Sequence, residues 1–404
     1  MDNRSQVVPL PLDGVRVVDF SQFLAGPYCT MQLADYGADV IKIERPGTGD
    51  DSRAMGPQSG GESFPFQQPN RNKRSIAVDL RSDDGVRIVR ELIDRADVVV
   101  ENFRPGVTAR LGVDYASVAG SNPNLIYCSI SGFGQTGPIS RRPGFDIIAQ
   151  GMAGFLRMTG APEGQPAKMG VAVTDLAAGL NAALAITMAY VHRLRGGEGQ
   201  YIDVSLLDAG IGLTVWEAGA YFGAGEDAVA TGSRHRKIAP YQAFPTKDGY
   251  VTIGANNQKL WEILCRDVLE RPDLITRPEY AASADRIARV DQLEDELSVL
   301  LREHPTDYWA QRLDAAGVPG GPVLTYAEAM AQPQVAQRAM AATVVHPVMG
   351  EINVLGPVAK LSATTPTVRT AGPLLGEHTD GVLAELGYSE ADVAALRSTG
   401  VVAG

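Results

Sequence analysis

Apolar residues in the first third of the chain fall into short runs separated by stretches of helical spacing. Residues 15–20 (VRVVDF), 39–44 (DVIKIE), 75–80 (SIAVDL), 97–103 and 125–131 read as strands. Between them, Gly26-Pro27 opens a helix through residue 38. Residues 83–96 place Val86, Ile88, Val89, Leu92 and Ile93 at helical spacing. Strands alternating with helices predict βαβ units around a parallel sheet, whose ligands sit outside the carboxyl ends of the strands.

The middle of the chain has a different texture. Residues 146–158 and 176–194 read as helices, joined by a loop rich in Gly and Pro (TGAPEGQPAKMG). Gly196, Gly197 and Gly199 end the second helix, and residues 201–206 return as a strand. Residues 241–255 read as a hairpin turning at Lys247-Asp248-Gly249. Charged amphipathic helices follow at 258–269, 284–301 and 307–316. The expectation is an α/β protein. A Rossmann-like parallel-sheet large domain spans 1–222, a smaller α+β domain spans 223–325, and a segment at 326–404 returns to the large domain.

The net charge of −11 argues against a general nucleic-acid binder, which needs a basic face. Three widely spaced cysteines, Cys29, Cys128 and Cys265, suggest neither a disulfide framework nor a zinc site, and a reducing, cytoplasmic setting is expected. The N-terminal stretch MDNRSQVVPLPLDG lacks the pattern of a signal peptide. The apolar run at 176–190 is shorter than a membrane span and is interrupted by Asn181, so it reads as a buried helix with no membrane partner.

No Walker loop, no G-x-G-x-x-G after the first strand and no G-x-S-x-G elbow is present. The five histidines lack metal-ligand spacing, and no metal is expected. Two groups of cations stand out. Asn70-Arg71-Asn72-Lys73-Arg74 precedes a strand, and Arg45, Asn102, Phe103, Arg104 and Arg110 follow the carboxyl ends of others. Guanidinium forks and lysine charges suit phosphates, although runs of charge are also ordinary solvated surface. Asp175 lies where a Gly-rich loop meets an apolar helix. There the helix dipole and unpaired N–H groups favour an ionised carboxylate, a candidate nucleophile toward a thioester. The competing reading of Thr174-Asp175 is a helix-capping pair.

Nine segments, taken in order, resemble the class III (CaiB/BaiF) CoA-transferases. They are LDGVRVVD (12–19), LAGP (24–27), VIKIERPGTGD (40–50), NRNKRSIAVDL (70–80), VENFRPG (100–106), YCSISGFGQTGP (127–138), PGFD (143–146), VAVTDLAAGL (171–180) and PLLGEHTDGVLAELG (373–387). The resemblance implies an interlaced, ring-like homodimer. It implies that Asp175 attacks the donor thioester to give an aspartyl anhydride, then an aspartyl-CoA thioester from which a free carboxylate takes the CoA. It gives backbone amides near Gln22 and Leu24 the oxyanion role. CoA binding is implied at Arg45, Lys73, Arg74, Asn102, Phe103 and Arg110. Acyl-CoA and a carboxylic acid are then substrates, and no cofactor is permanently bound.

Racemases of the same family place a histidine before the Asp of the motif read here as Gly144-Phe145-Asp146, and a glutamate near Asn256 or Asn257. Phe145 and the two amides favour transfer, with racemisation or epimerisation as the alternative. The closest resemblance is to the succinate–hydroxymethylglutarate type, which also accepts glutarate. It implies succinyl-CoA or a similar donor and a dicarboxylate. Arg234 and His235, with Arg236, Lys237 and the following Tyr241, would hold the distal carboxylate, unless that cluster is a solvated loop.

Overall fold

The structure is a computed structural model that describes residues 9–404. The reading that the N-terminus carries no leader rests partly on residues 1–8, which lie outside the described residues. Seven strands build the main sheet: β1 (Arg16–Asp19), β2 (Asp39–Glu44), β3 (Lys73–Val78), β4 (Val98–Glu101), β5 (Ile126–Ser131), β6 (Tyr201–Ser205) and β7 (Val402–Ala403). Their order is β7-β3-β2-β1-β4-β5-β6. All neighbours run parallel except β7, which is antiparallel to β3. The chain winds outward from β1 in both directions. Connections therefore diverge between β1 and β4, and a crevice opens beyond their carboxyl ends.

Strand alternation sorts the side chains into two cores. Val17, Val40, Val100 and Cys128 face helix α1 (Ala25–Asp35) and the long helix at Val173–Leu194. Val18, Ile41, Ile76 and Val99 face helix α2 (Asp83–Asp94) and the C-terminal helices Thr379–Leu386 and Glu390–Ser398. Strands buried on both faces explain the nearly continuous apolar runs in the sequence. Ser82 caps α2 by accepting the Gly85 N–H at 3.0 Å, and Asp83 and Asp84 sit in its positive first turn.

Several helices differ from expectation. The helix expected at 146–158 is α3 (Asp146–Met152) followed by a separate turn at Phe155–Met158, because Gly154 adopts φ 87° between them. The one expected at 284–301 breaks at Arg289, and the one at 258–269 passes into a π turn at Leu264–Val268. Helix α4 (Val173–Leu194) begins three residues earlier than expected, which draws Asp175 inside its first turn. The expectation that it is buried needs correction. Its inner face packs on β5 and β6, but Leu180, Leu184, Met188, Val191 and Leu194 form an exposed outer stripe. By length and composition alone this helix matches a membrane span; its buried inner face is the mark of a core-packing helix.

The chain divides into two compact units. The first holds the main sheet and comprises residues up to Gly154, Met169–Phe222 and Ala336–Gly404. The second comprises Phe155–Lys168 and Gly223–Val335. The chain passes to the second unit after Phe222 and returns to the first at Ala336, and most of the Gly/Pro loop goes with the second. In that second unit a hairpin (Tyr241–Pro245, Tyr250–Gly254) and the strand Gly320–Pro322 make a three-stranded sheet. Its core is built on Phe244, Val251, Trp261, Leu293 and Leu297.

Candidate active site

The crevice beyond β1 and β4 is closed by a reciprocal pair. The Gln22 N–H donates to Asn102 Oδ1 and Asn102 Nδ2 donates to the Gln22 carbonyl, each at 2.8 Å. Buried charges hold the same loop from below. Asp19, fully buried at the end of β1, accepts from the Ser21 N–H (2.9 Å), the Thr30 hydroxyl (2.7 Å) and Lys73 Nζ (3.1 Å). Burial would raise its carboxyl, but the Lys73 and Lys42 ammonium groups outweigh that and hold it below the usual range. Asp50 accepts the Phe23 N–H at 3.1 Å and pairs with Lys42 at 2.8 Å. Phe23 is thereby held at φ 62°, a left-handed conformation that costs a non-glycine residue about 1–3 kcal/mol. These bonds commit the Gln22 and Phe23 amides, which corrects the expectation that the Gln22 amide is an oxyanion donor. The Leu24, Ala25 and Gly26 N–H groups at the start of α1 have no intrahelical acceptor and no other partner among the described residues.

Asp175 faces that helix start. Gly179, one turn further along the same face of α4, comes so close to α1 that a Cβ there would lie 2.7 Å from the Ala25 carbonyl oxygen. The small residue brings the two helices together and places Asp175 beside the first turn of α1. Asp175 and Leu24 line one cavity of about 210 Å³, with Gln22, Asn102, Ser131 and Phe145 also in its wall.

The capping role considered for Asp175 belongs to Asp146 on α3. Its carboxylate accepts the Thr174 N–H (3.0 Å) and hydroxyl (2.7 Å), and also Gln150 Nε2 (2.7 Å). Among the described residues, the Asp175 carboxylate has no hydrogen bond. Burial, reinforced by the nearby Asp146 charge, pushes its carboxyl up to about 7. The expected preference for the ionised form at the helix terminus is therefore outweighed.

A second cavity of about 550 Å³ adjoins the first; both are lined by Gln22 and Phe103. Apolar Phe20, Ile43 and Leu80 wall it, with Arg45 and Arg81 beside them. Arg45 pairs with Asp51, and the largely exposed Arg81 pairs with Asp79 at 2.9 Å. Arg81 escaped the sequence reading, although it lies just past the carboxyl end of β3 as Arg45 does past β2. The Arg110 side chain is exposed, has no partner among the described residues, and lines neither cavity.

The cations at 71–74 lie elsewhere, at the amino end of β3. Arg71 is buried against Asp35 (2.6 Å), Lys73 is buried against Asp19, and Arg74 bridges Asp39 and Glu385 at 2.6 Å each. Burial pulls the Lys73 ammonium down to about 8 against the pull of Asp19. The basic run thus holds β3 to its neighbours rather than offering a free charged loop. Arg234 and His235 belong to the second unit, where Arg234 is clamped by Asp291 and Glu294. His235 there packs edge-on against Tyr241 with ring centres 5.4 Å apart. Among the described residues, no cluster of three His, Cys, Asp or Glu side chains is arranged to hold a metal ion.

The fold is an α/β sheet with a largely buried carboxylate in the wall of one cavity and two arginines, Arg45 and Arg81, in the wall of the adjoining one. The chain belongs to CoA-transferase family III, whose sequence model matches residues 12–379. It is accordingly a CoA-transferase, with acyl-CoA as its type of substrate. It is 40% identical to the human succinyl-CoA:glutarate CoA-transferase over 394 residues, covering 97% of this chain and 90% of that one. It is 38% identical to the succinate–glutarate CoA-transferase of Agrobacterium fabrum over 395 residues, covering 93% and 96%. A crystal structure of a CaiB/BaiF family protein from Brucella suis superposes with a TM-score of 0.85 at 38% identity, covering 94% of this chain and 100% of that one.

Proposed function

We propose that the enzyme moves CoA from succinyl-CoA, or a similar donor, to a free dicarboxylate, through covalent intermediates on Asp175. One observation carries the reading. Asp175 is the one carboxylate among the lining residues of its cavity, and no His, Lys or Cys stands with it. Exchange of CoA between carboxylates needs no net proton transfer, so a bare carboxylate suffices. Racemisation at carbon needs an acid/base pair, and Phe145 occupies the position where one member would stand.

In this reading the Asp175 carboxylate attacks the thioester carbonyl and the C–S bond breaks. An aspartyl anhydride and CoA thiolate result. The thiolate attacks the Asp175 carbonyl, releases the donor acid, and leaves an aspartyl-CoA thioester. The acceptor carboxylate attacks that thioester. Thiolate return then yields the new acyl-CoA and restores the free carboxylate. The free N–H groups of Leu24 and Ala25 face the oxyanions that form. Gln22, Asn102 and Phe103 line the passage for the pantetheine arm. Arg45 and Arg81 meet the phosphates, and Arg110 contributes charge nearby. Lys73 and Arg74 act as scaffold.

The bare stripe on α4 supports a homodimer, since an exposed apolar face of this kind marks a protein interface, and Trp216, Tyr221 and Phe222 are exposed as well. The reading includes no resident cofactor and a reducing, cytoplasmic setting, in keeping with the buried free thiols of Cys29, Cys128 and Cys265. The test is to incubate the protein with succinyl-CoA and a panel of free acids and to identify new CoA esters by mass spectrometry. Esters that vanish with Asp175→Ala support the proposal. Exchange that survives the substitution, or α-deuterium wash-in without exchange, would overturn it.

A further inference from the structure

Two hydrogen-bond donors in the Asp175 cavity serve no partner. Ser131 ends β5, is 5% exposed, and its hydroxyl has no hydrogen bond among the described residues. Arg104 follows β4 by three residues. Its guanidinium makes no hydrogen bond and no ion pair among the described residues. Both residues line the cavity that holds Asp175, and neither lines the second cavity.

The state is unusual for the buried Ser131, whereas Arg104 is exposed at the cavity wall and its charge is available to a ligand. Buried hydroxyls are normally paired, and one left bare at a cavity wall is a group that a ligand satisfies. Many of the other guanidinium groups of this unit are tied to carboxylates: Arg53 to Glu44, Arg71 to Asp35 and Arg74 to Asp39. Arg104 shares its cavity with no acid but Asp175, to which it is not bonded. A free acid bound there puts its reacting carboxylate at Asp175. If the acid has a second carboxylate, that charge also leaves water and needs a cation to meet it. A guanidinium fork with a hydroxyl alongside supplies donors to both oxygens of such a group.

We propose that Arg104 and Ser131 hold the distal carboxylate of a dicarboxylic substrate, and so set a preference for dicarboxylates over monocarboxylates. This rests on the transferase reading above. It moves the distal site away from Arg234, whose charge is taken by Asp291 and Glu294.

The test uses the full-length enzyme with succinyl-CoA as a fixed donor and compares glutarate with pentanoate as acceptors. The variants are Arg104→Gln, Arg104→Lys and Ser131→Ala, with CoA affinity measured by calorimetry. In Arg104→Gln the ratio of kcat/KM for glutarate to that for pentanoate falls roughly ten- to hundredfold, the loss expected when a charged hydrogen bond is removed. Arg104→Lys recovers part of it, Ser131→Ala loses roughly threefold or more, and CoA affinity is unchanged. Where pentanoate turnover is too low to measure, a fall in kcat/KM for glutarate at constant CoA affinity supports the same conclusion. An unchanged ratio in both Arg104→Gln and Ser131→Ala overturns the proposal. So does a loss of CoA affinity with the ratio intact, which would make Arg104 a phosphate contact. Should Arg104→Gln fail to fold, Ser131→Ala decides. A wild-type enzyme inactive with every acid would instead sink the transferase reading itself.

Discussion

Asn102 and Gln22 exchange two hydrogen bonds of 2.8 Å across the point where the sheet's connections diverge. The amide side chain of one loop thus fixes the backbone of the other, and that backbone leads directly into the free N–H groups of α1. Asn102→Ala leaves both Gln22 groups unpaired and lets the loop relax. We expect kcat/KM to fall roughly tenfold or more, since small displacements of positioning groups are costly. Asn102→Asp should be worse, because its carboxylate faces the Gln22 carbonyl. Steady-state kinetics with thermal melts would separate misplacement from unfolding; a variant with wild-type rates would mean that the pair is dispensable.

The raised Asp175 carboxyl makes two predictions of opposite sense. Activity needs the ionised form, so the rate should climb with pH and level off above about 7. Stability runs the other way. A carboxyl raised in the fold contributes stability that is full below its ordinary 3.8 and is lost as the pH passes about 7. Asp175→Asn should therefore be inactive yet more stable than wild type at pH 8, by roughly 1–3 kcal/mol after allowance for solvent. The difference should vanish near pH 4. Denaturant titrations at the two pH values test this, and equal stability at pH 8 would contradict it.

Gly179 is the position at which α4 meets α1. In Gly179→Ala the new methyl group lies 2.7 Å from the Ala25 carbonyl oxygen, a backbone atom that yields only if the helices part. Overpacking of this kind costs roughly 1–3 kcal/mol. Because Asp175 is one turn away on the same face, kcat should drop together with the melting temperature. A variant destabilised but fully active would show that helix spacing does not position the nucleophile.

Arg45 and Arg81 flank the apolar second cavity, and the proposal assigns them to phosphate groups. Substituting either by Ala should weaken CoA binding roughly tenfold and flatten its salt dependence, while the acceptor's KM stays put. Calorimetry at two ionic strengths measures both effects.

The outer stripe of α4 bears on assembly. Leu184→Arg places a charge in the middle of it, and light scattering should report a dimer for the wild type and monomers for the variant. A wild-type monomer, or a variant that stays dimeric, would remove this stripe from the interface.

Strands β1 to β5 were legible in the sequence because they are buried on both faces and betray themselves as apolar runs, whereas the two-residue β7 is too short to leave a pattern. The site was legible in part. Arg45, Asn102 and Phe103 lie just past strand ends, and Arg81 and Ser131, which the same rule could have found, lie past or at one; Asp175 stood out instead because a Gly-rich loop there meets an apolar helix. Lys73 and Arg74 misled because local sequence shows charge but not its partners. Asp19, Asp39 and Glu385, which engage them, lie 35 to 311 residues away along the chain. The cap supplied by Asp146 to the helix of Thr174 was hidden for the same reason, being a contact across 28 residues. The break at Gly154 and the early start of α4 turn on backbone angles that periodicity does not encode.

The covalent step on Asp175 is the centre of the account, and peptide mass spectrometry reaches it most directly. The enzyme is mixed with succinyl-CoA without an acceptor, quenched in acid, and digested. The account predicts a peptide containing Asp175 that is heavier by CoA less one water, is discharged by added glutarate, and is missing in Asp175→Ala. A quenched enzyme that carries no adduct while still exchanging CoA, or an adduct on another residue, would contradict it.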